Sequence, residues 1–457
     1  MIKNVKLLTL LSLICMLCIL LCSCGGGDEN TRNDLPTRTL NVYNWGEYIS
    51  DEDDEEYGLI DVNSAFEAYF NEELAHKYGY YVKVSYSTYA TNEDMYAKIT
   101  NSAVAYDIVI PSDYMIQKMI NHKNENGEPD PLLIKLDYSK LTNYKNISDE
   151  FKNLDYDPNN EYSVPYTYGM LGIIYNDEFV AEEDIAKQSW GLLWDEKYKG
   201  KILQFNNPRD AFGTAMYWKD LDINSNDPDV WNEALDLLKQ QKPLLQGYVN
   251  DEIFNKMKGA SAYIAPYYAG DFLTMADENE DLNFYYPKEG TNYFVDAMCI
   301  PVTAKKENID LAHEYINYMI GRDAATANAL YIGYASPNKA VTDSEYYKTM
   351  LANNYDTDNL SAWEILYGKT KDEANENYSY NPAYMDYYKD EKVDIQAHVN
   401  SLWESLKTEN STKPWVHITS IVIVVGVLTI AIYDIYIKKK RSRDYRLRDK
   451  AKKNISK

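Results

Sequence analysis

The chain has 457 residues, 14% of them aromatic with 44 tyrosines, enough for two domains and a large core, so disorder is not the default. Its formal net charge of -25 argues against nucleic acid and against adsorption to anionic lipid, because both attract basic surfaces.

The first element is a secretory signal over 1–24. It has the basic start Met1-Ile-Lys-Asn-Val-Lys6, an apolar stretch from Leu7, and the ending Leu21-Cys-Ser-Cys24 before three glycines. That ending resembles a bacterial lipobox, with Leu21 placed to position Cys24 for lipidation; Cys22 is unusual there, and an uncleaved anchor or cleavage without lipid are the alternatives. Four of the five cysteines lie in this segment, so Cys299 in the body has no internal disulfide partner.

A strand is expected over 39–43, running into Asn41-Val-Tyr-Asn-Trp-Gly-Glu-Tyr48. There Trp45, Glu47 and Tyr48 stand together at a strand end, the grouping that holds an organic cation: an aromatic face attracts ammonium and an adjacent acid supplies the opposite charge. The same residues also suit an ordinary buried Trp beside a surface Glu. Asp51-Glu-Asp-Asp-Glu-Glu56 lacks the alternating ligands and the Gly of a calcium loop and reads as a solvated loop. Val62, Phe66, Tyr69, Phe70 and Leu74 form a helical stripe ended by Gly79, and a strand follows over 81–86. Another is expected over 105–111, with Ser112 and Asp113 placed to cap a helix through Met119, before a polar loop at 121–130.

After Pro165 the pattern predicts strands over 169–175, 201–205 and 260–264 and helices over 210–219, 229–240 and 271–276. After Pro287 come a strand over 295–300 and helices over 309–320 and 323–330. Alternation between periods of 2 and 3.6 argues for an α/β fold, and two lobes with a late return crossing are the simplest arrangement. The apolar stretch 416–437 is long enough to cross a hydrocarbon core of about 30 Å. The basic run Lys438-Lys-Lys-Arg441 then predicts a cytoplasmic tail over 438–457 and a membrane-anchored body on the extracytoplasmic face of the plasma membrane.

The five histidines form no His-x-x-x-His pair and lie near no Cys in sequence, so no metal site is expected. No nucleophile elbow, phosphate loop or dinucleotide fingerprint occurs, so binding is favoured over turnover, with no catalytic residue and no cofactor. Acids or small polar groups instead recur beside aromatics at strand-to-helix junctions: Ser112 with Tyr114, Asp210, Tyr267 with Tyr268, Phe294 with Asp296, and Tyr334 after Gly333. In open α/β sheets such junctions line the ligand crevice.

Over roughly 39–403 the chain resembles the spermidine/putrescine-binding proteins of bacterial ABC importers. The resemblance rests on Tyr43-Asn-Trp-Gly-Glu-Tyr48, Tyr106-Asp-Ile-Val-Ile-Pro-Ser-Asp-Tyr114, Trp194-Asp-Glu-Lys-Tyr-Lys-Gly200, Tyr286-Pro-Lys-Glu-Gly290 and Ile332-Gly-Tyr-Ala-Ser-Pro-Asn338, among other ordered matches. It implies a two-lobed periplasmic-binding-protein-like clamp of type II with a hinge, to which the sequence adds a C-terminal transmembrane helix. Lobe 1 would comprise 38–165 with about 291–335, and lobe 2 166–290 with about 336–406. It also implies a polyamine, putrescine or spermidine, delivered by a monomer to an ABC permease and its ATPase.

The site implied by the resemblance comprises Trp45, Glu47, Tyr48, Ser112, Tyr114, Asp210, Asp296 and Tyr334, with Tyr267 and Phe294 in place of wall tryptophans. Asn207 stands where the family has a further acid, and Gly46 where it has a threonine. Fewer carboxylates weaken the case for a triamine and leave a diamine plausible. A binder of another small solute (amino-acid-like, thiamine or a metal) and a polyamine-sensing membrane receptor are the alternatives.

Overall fold

The computed structural model describes residues 35–101, 104–356, 361–367, 385–386 and 393–408. The first lobe opens with β1 (Thr37–Trp45), which pairs in parallel with β2 (Tyr81–Tyr89) and β3 (Ile108–Val109). Between them the predicted stripe forms helix α1 (Val62–Tyr69), a π turn and a last helical turn, ending at Gly79 in the left-handed conformation (φ 78°). Asp61 caps α1 by accepting from the Ser64 amide at 2.9 Å. The stripe buries Val62, Phe66 and Phe70, with Phe66 edge-on to Tyr315 at 5.0 Å. Each such aromatic contributes about 1.5–3 kcal/mol by leaving water.

The long strand β4 (Ser163–Asn176) joins the two lobes. Its first half pairs antiparallel with β9 (Thr291–Cys299), which continues the first-lobe sheet through β3. Its second half, from Leu171, pairs with β7 (Ile264–Tyr268) and β8 (Leu282–Tyr285). Beyond β7 lie β5 (Ile202–Phe205) and β6 (Leu245–Val249), both parallel additions. Among the described residues the path is therefore β2-β1-β3-β9-β4-β7-β5-β6, two α/β layers that share crossing strands. The expected lobe boundaries at 165/166 and 290/291 fall within β4 and at the start of β9.

Helices α2 (Asn92–Asn101) and α3 (Asp113–Ile120) belong to the first lobe, and α4 (Pro208–Trp218), α5 (Pro228–Gln241) and α6 (Ala269–Glu278) to the second. Phe212 of α4 packs edge-on against Trp231 of α5 at 5.6 Å, both fully buried. Helices α7 (Ile309–Met319) and α8 (Arg322–Ile332) return to the first lobe, and α9 (Val393–Thr408) packs on α5. Cys299 is buried and free.

Several expectations need correction. The strand expected over 260–264 lies at Ile264–Tyr268, because Ala260 sits in a turn with φ 49°. The strand expected over 105–111 narrows to Ile108–Val109. Strands β6 and β8 were not anticipated. The transmembrane helix is corrected too: no helix among the described residues is long and apolar enough to cross a membrane. Residues 416–437, the tail 438–457 and the signal segment with Cys24 lie outside the described residues.

Candidate functional site

Loops after the carboxyl ends of β1, β3, β5 and β7 converge between the lobes, the place where open parallel sheets leave a crevice. They enclose a cavity of about 170 Å³ lined by Trp45, Glu47, Tyr48, Ser112, Tyr114, Asn207, Asp210, Tyr267, Phe294, Asp296 and Tyr334. All eleven residues expected from sequence therefore meet at one cavity. Gly46 lies on its lining as well.

The centre is Asp296, 3% exposed on β9. The Tyr48 hydroxyl donates to its Oδ2 at 2.6 Å and also meets the Thr167 hydroxyl at 2.7 Å. Its Oδ1 is buried without a hydrogen-bond partner. Burial pushes the Asp296 carboxyl up to about 6, against the opposing pull of the Ser112 and Tyr48 hydroxyls. An unpaired buried carboxylate oxygen is costly, and a cationic donor in the cavity would relieve it.

Around Asp296 stand the aromatic walls. Tyr48 and Tyr334 meet edge-on at 5.4 Å, Phe294 and Tyr334 at 5.8 Å, and Tyr268 and Phe294 at 5.5 Å. The Trp45 indole N–H is held by the Ile110 carbonyl at 3.0 Å, which fixes the ring beside Tyr89. Two glycines make room for Tyr334. A Cβ on Gly169 would come within 2.8 Å of both Phe294 and Tyr334, and one on Gly270 within 2.5 Å of the Tyr334 ring.

The roles are not distributed as the sequence suggested. Glu47 sits exposed at the rim, with φ 50° and the Tyr331 hydroxyl 3.4 Å from its carboxylate. Asn207 caps α4 through the Asp210 amide at 2.9 Å and donates to Asp210 Oδ2 at 2.9 Å, so it holds the acid in place. Tyr268, beside the expected wall residue Tyr267, donates to Asp210 Oδ2 at 2.5 Å. Ser112 occupies the cap position of α3 without a capping bond and instead receives the Asn92 amide at 3.1 Å.

Five charged residues that sequence reasoning did not assign to the site also line the cavity: Glu93, Asp113, Arg209, Asp251 and Asp271. Asp113 read as a helix cap; its carboxylate accepts from the Tyr114 amide at 2.7 Å and the Val295 amide at 3.1 Å. Burial lifts it to about 8, with those amides opposing. Asp271 opens α6 and accepts the Tyr334 hydroxyl at 2.8 Å, and burial lifts it to about 7. Burial also raises Asp210, against the hydrogen bonds from Tyr268 and Asn207. The signal available was position alone, since Asp271 lies three residues past Tyr268 at the same strand-to-helix junction.

With this geometry in place, similarity to known proteins becomes informative. The sequence profile of the bacterial extracellular solute-binding proteins matches residues 131–361. The chain is 32% identical over 303 residues to the spermidine/putrescine-binding periplasmic protein of Escherichia coli K12, covering 66% of this chain and 78% of the relative. The chain belongs to the bacterial extracellular solute-binding proteins. A solved structure described as a putative spermidine/putrescine ABC transporter from Listeria monocytogenes superposes with a TM-score of 0.65 at 31% identity, covering 81% of this chain and 99% of that one. A spermidine/putrescine ABC transporter substrate-binding protein from Streptococcus pneumoniae gives 0.59 at 31%, covering 81% and 98%. Both support the two-lobed fold. The expected placement in the plasma membrane with a cytoplasmic tail is corrected: the relative is named a periplasmic protein, and no helix among the described residues is long and apolar enough to cross a membrane.

Proposed function

We propose that this solute-binding protein captures a polyamine, putrescine or spermidine, between its lobes and delivers it to the permease of an ABC importer powered by its ATPase. The observation that carries the reading is the buried Asp296 carboxylate, one oxygen of which lacks a hydrogen-bond partner, in the lining of a cavity walled by Tyr48, Phe294, Tyr268 and Tyr334. An ammonium group satisfies that oxygen, and the rings take both the methylene chain and the charge. The similarity to proteins named for spermidine, putrescine and cadaverine supports the same ligand class.

In this reading Asp296 holds one amine and Asp210 or Asp271 a second, the remaining acid taking the further amine of spermidine, while Glu47 guides the cation at the rim. Ser112 and Tyr114 frame the first-lobe side, and Tyr267 backs Tyr268. Each charge-assisted hydrogen bond contributes about 1.5–3 kcal/mol and each cation-π contact about 0.5–2. Three acids and two or three rings reach roughly -8 kcal/mol after ordering costs, near micromolar. The lobes, 38–165 with 291–335 and 166–290 with 336–406, close as units about β4 and β9 and present a joint surface to the permease. The chain works as a monomer and performs no chemistry on its ligand.

Calorimetry with putrescine and spermidine tests this. The expected result is saturable binding near micromolar. Absence of heat and of thermal stabilisation with both, in a protein that binds an amino acid or thiamine instead, overturns the ligand assignment.

A further inference from the structure

Arg209 is a cation in a cavity built for cations. It carries the same sign as the proposed ligand, so it cannot partner an ammonium group, and it has another task. It sits in the first turn of α4, in the second lobe, with 8% of its surface exposed. Its guanidinium carbon lies 4.0 Å from the centroid of the Tyr114 ring, which belongs to α3 of the first lobe and is also 8% exposed. The Tyr114 hydroxyl in turn donates to Glu93 Oε1 on α2 at 3.0 Å. Asp113 of the first lobe and Asp210 of its own helix feel the guanidinium charge, while Glu93 acts on Tyr114.

The lobes also approach elsewhere along the cleft. A Cβ on Gly46, at the end of β1, would lie 4.0 Å from Asp251 Oδ2 of the second lobe. Asp251 is exposed, whereas Arg209 and Tyr114 are both buried. A desolvated guanidinium over a ring is the stronger kind of cation-π contact.

We propose that Arg209 is a positioning residue that clasps the two lobes together by stacking on Tyr114 across the cleft. The clasp forms only when the lobes meet, so it biases the clamp toward closure by its own contact energy. A ligand then binds a protein already partly closed and avoids that part of the closing cost. The inference rests on the two-lobed clamp reading and is independent of which solute fills the cavity.

The test is single-molecule energy transfer on the full-length chain, with dyes on azide-bearing residues placed at Glu73 and Glu233, exposed positions on opposite lobes. Without ligand, the wild type is expected to show a closed population. Arg209→Met should lower the closed-to-open ratio by roughly two- to thirty-fold, the range of one cation-π contact. Arg209→Lys, which keeps a cation over the ring, should lie nearer the wild type. A ratio unchanged in Arg209→Met, or a wild type with no closed population, overturns the clasp. The wild-type measurement decides even if the methionine variant does not fold. Putrescine added afterwards separates the two proposals: if it fails to bind while the unliganded shift is present, the polyamine reading falls and the clasp stands.

Discussion

Replacing Asp296 with Asn removes one charge from the centre of the cleft and changes little else. The side chain keeps its size at a site 3% exposed, and the Tyr48 hydroxyl, 2.6 Å away, still finds an amide oxygen to donate to. What is lost is the charge-assisted bond between the Asp296 carboxylate and a ligand ammonium, about 1.5–3 kcal/mol. Calorimetry at pH 7.5 should therefore show putrescine binding weakened about ten- to 150-fold. The unliganded melting temperature should hold or rise, because a buried charge has been removed. Asp54→Asn is the control, since that side chain serves its own loop, accepting from the Glu56 amide at 2.9 Å. Equal effects of the two substitutions, or wild-type binding by Asp296→Asn, would refute the placement of the central charge.

Other predictions follow from the same cleft. Burial holds Asp113, Asp271 and Asp296 at about 8, 7 and 6, and a cation favours their ionised forms. Affinity should thus rise from pH 5 to pH 8 with proton release on binding, measured in buffers of different ionisation enthalpy; flat affinity contradicts this. Without ligand the sign reverses. The folded protein keeps protons that the unfolded chain gives up above about pH 4, so its melting temperature should fall as pH rises through 6–8. Gly169→Ala places a Cβ 2.8 Å from Phe294 and Tyr334, and the overpacking should cost about 1–3 kcal/mol in thermal unfolding and weaken ligand binding together. Loss of neither would mean that those rings do not need their present seats.

Much of the cleft was legible because its chemistry sits at junctions that sequence pattern can find. Trp45 and Tyr48 end or follow β1, Asp210 opens α4, and Phe294 with Asp296 lie on β9, so motif and period together brought them to one cavity. Roles were less legible, because they depend on depth and partner. Glu47 belongs to the right segment, yet its left-handed backbone turns it to the rim. Asn207 looked like a missing acid, whereas its amide supports Asp210. Asp113 read as a helix cap and Arg209 had no expected role, and the fold buries both in the lining of the cavity. The shift of β7 to Ile264–Tyr268 explains why Tyr268 rather than Tyr267 reaches Asp210, since alternate strand residues face opposite sides.

The central claim is that this clamp holds a polyamine, and direct calorimetry on the wild-type chain tests it most directly. Titration with putrescine, spermidine, an amino acid and thiamine under one buffer should give saturable, roughly micromolar binding for at least one of the two polyamines and none for the amino acid or thiamine. Tight binding of the amino acid or thiamine with no response to either polyamine would contradict the account.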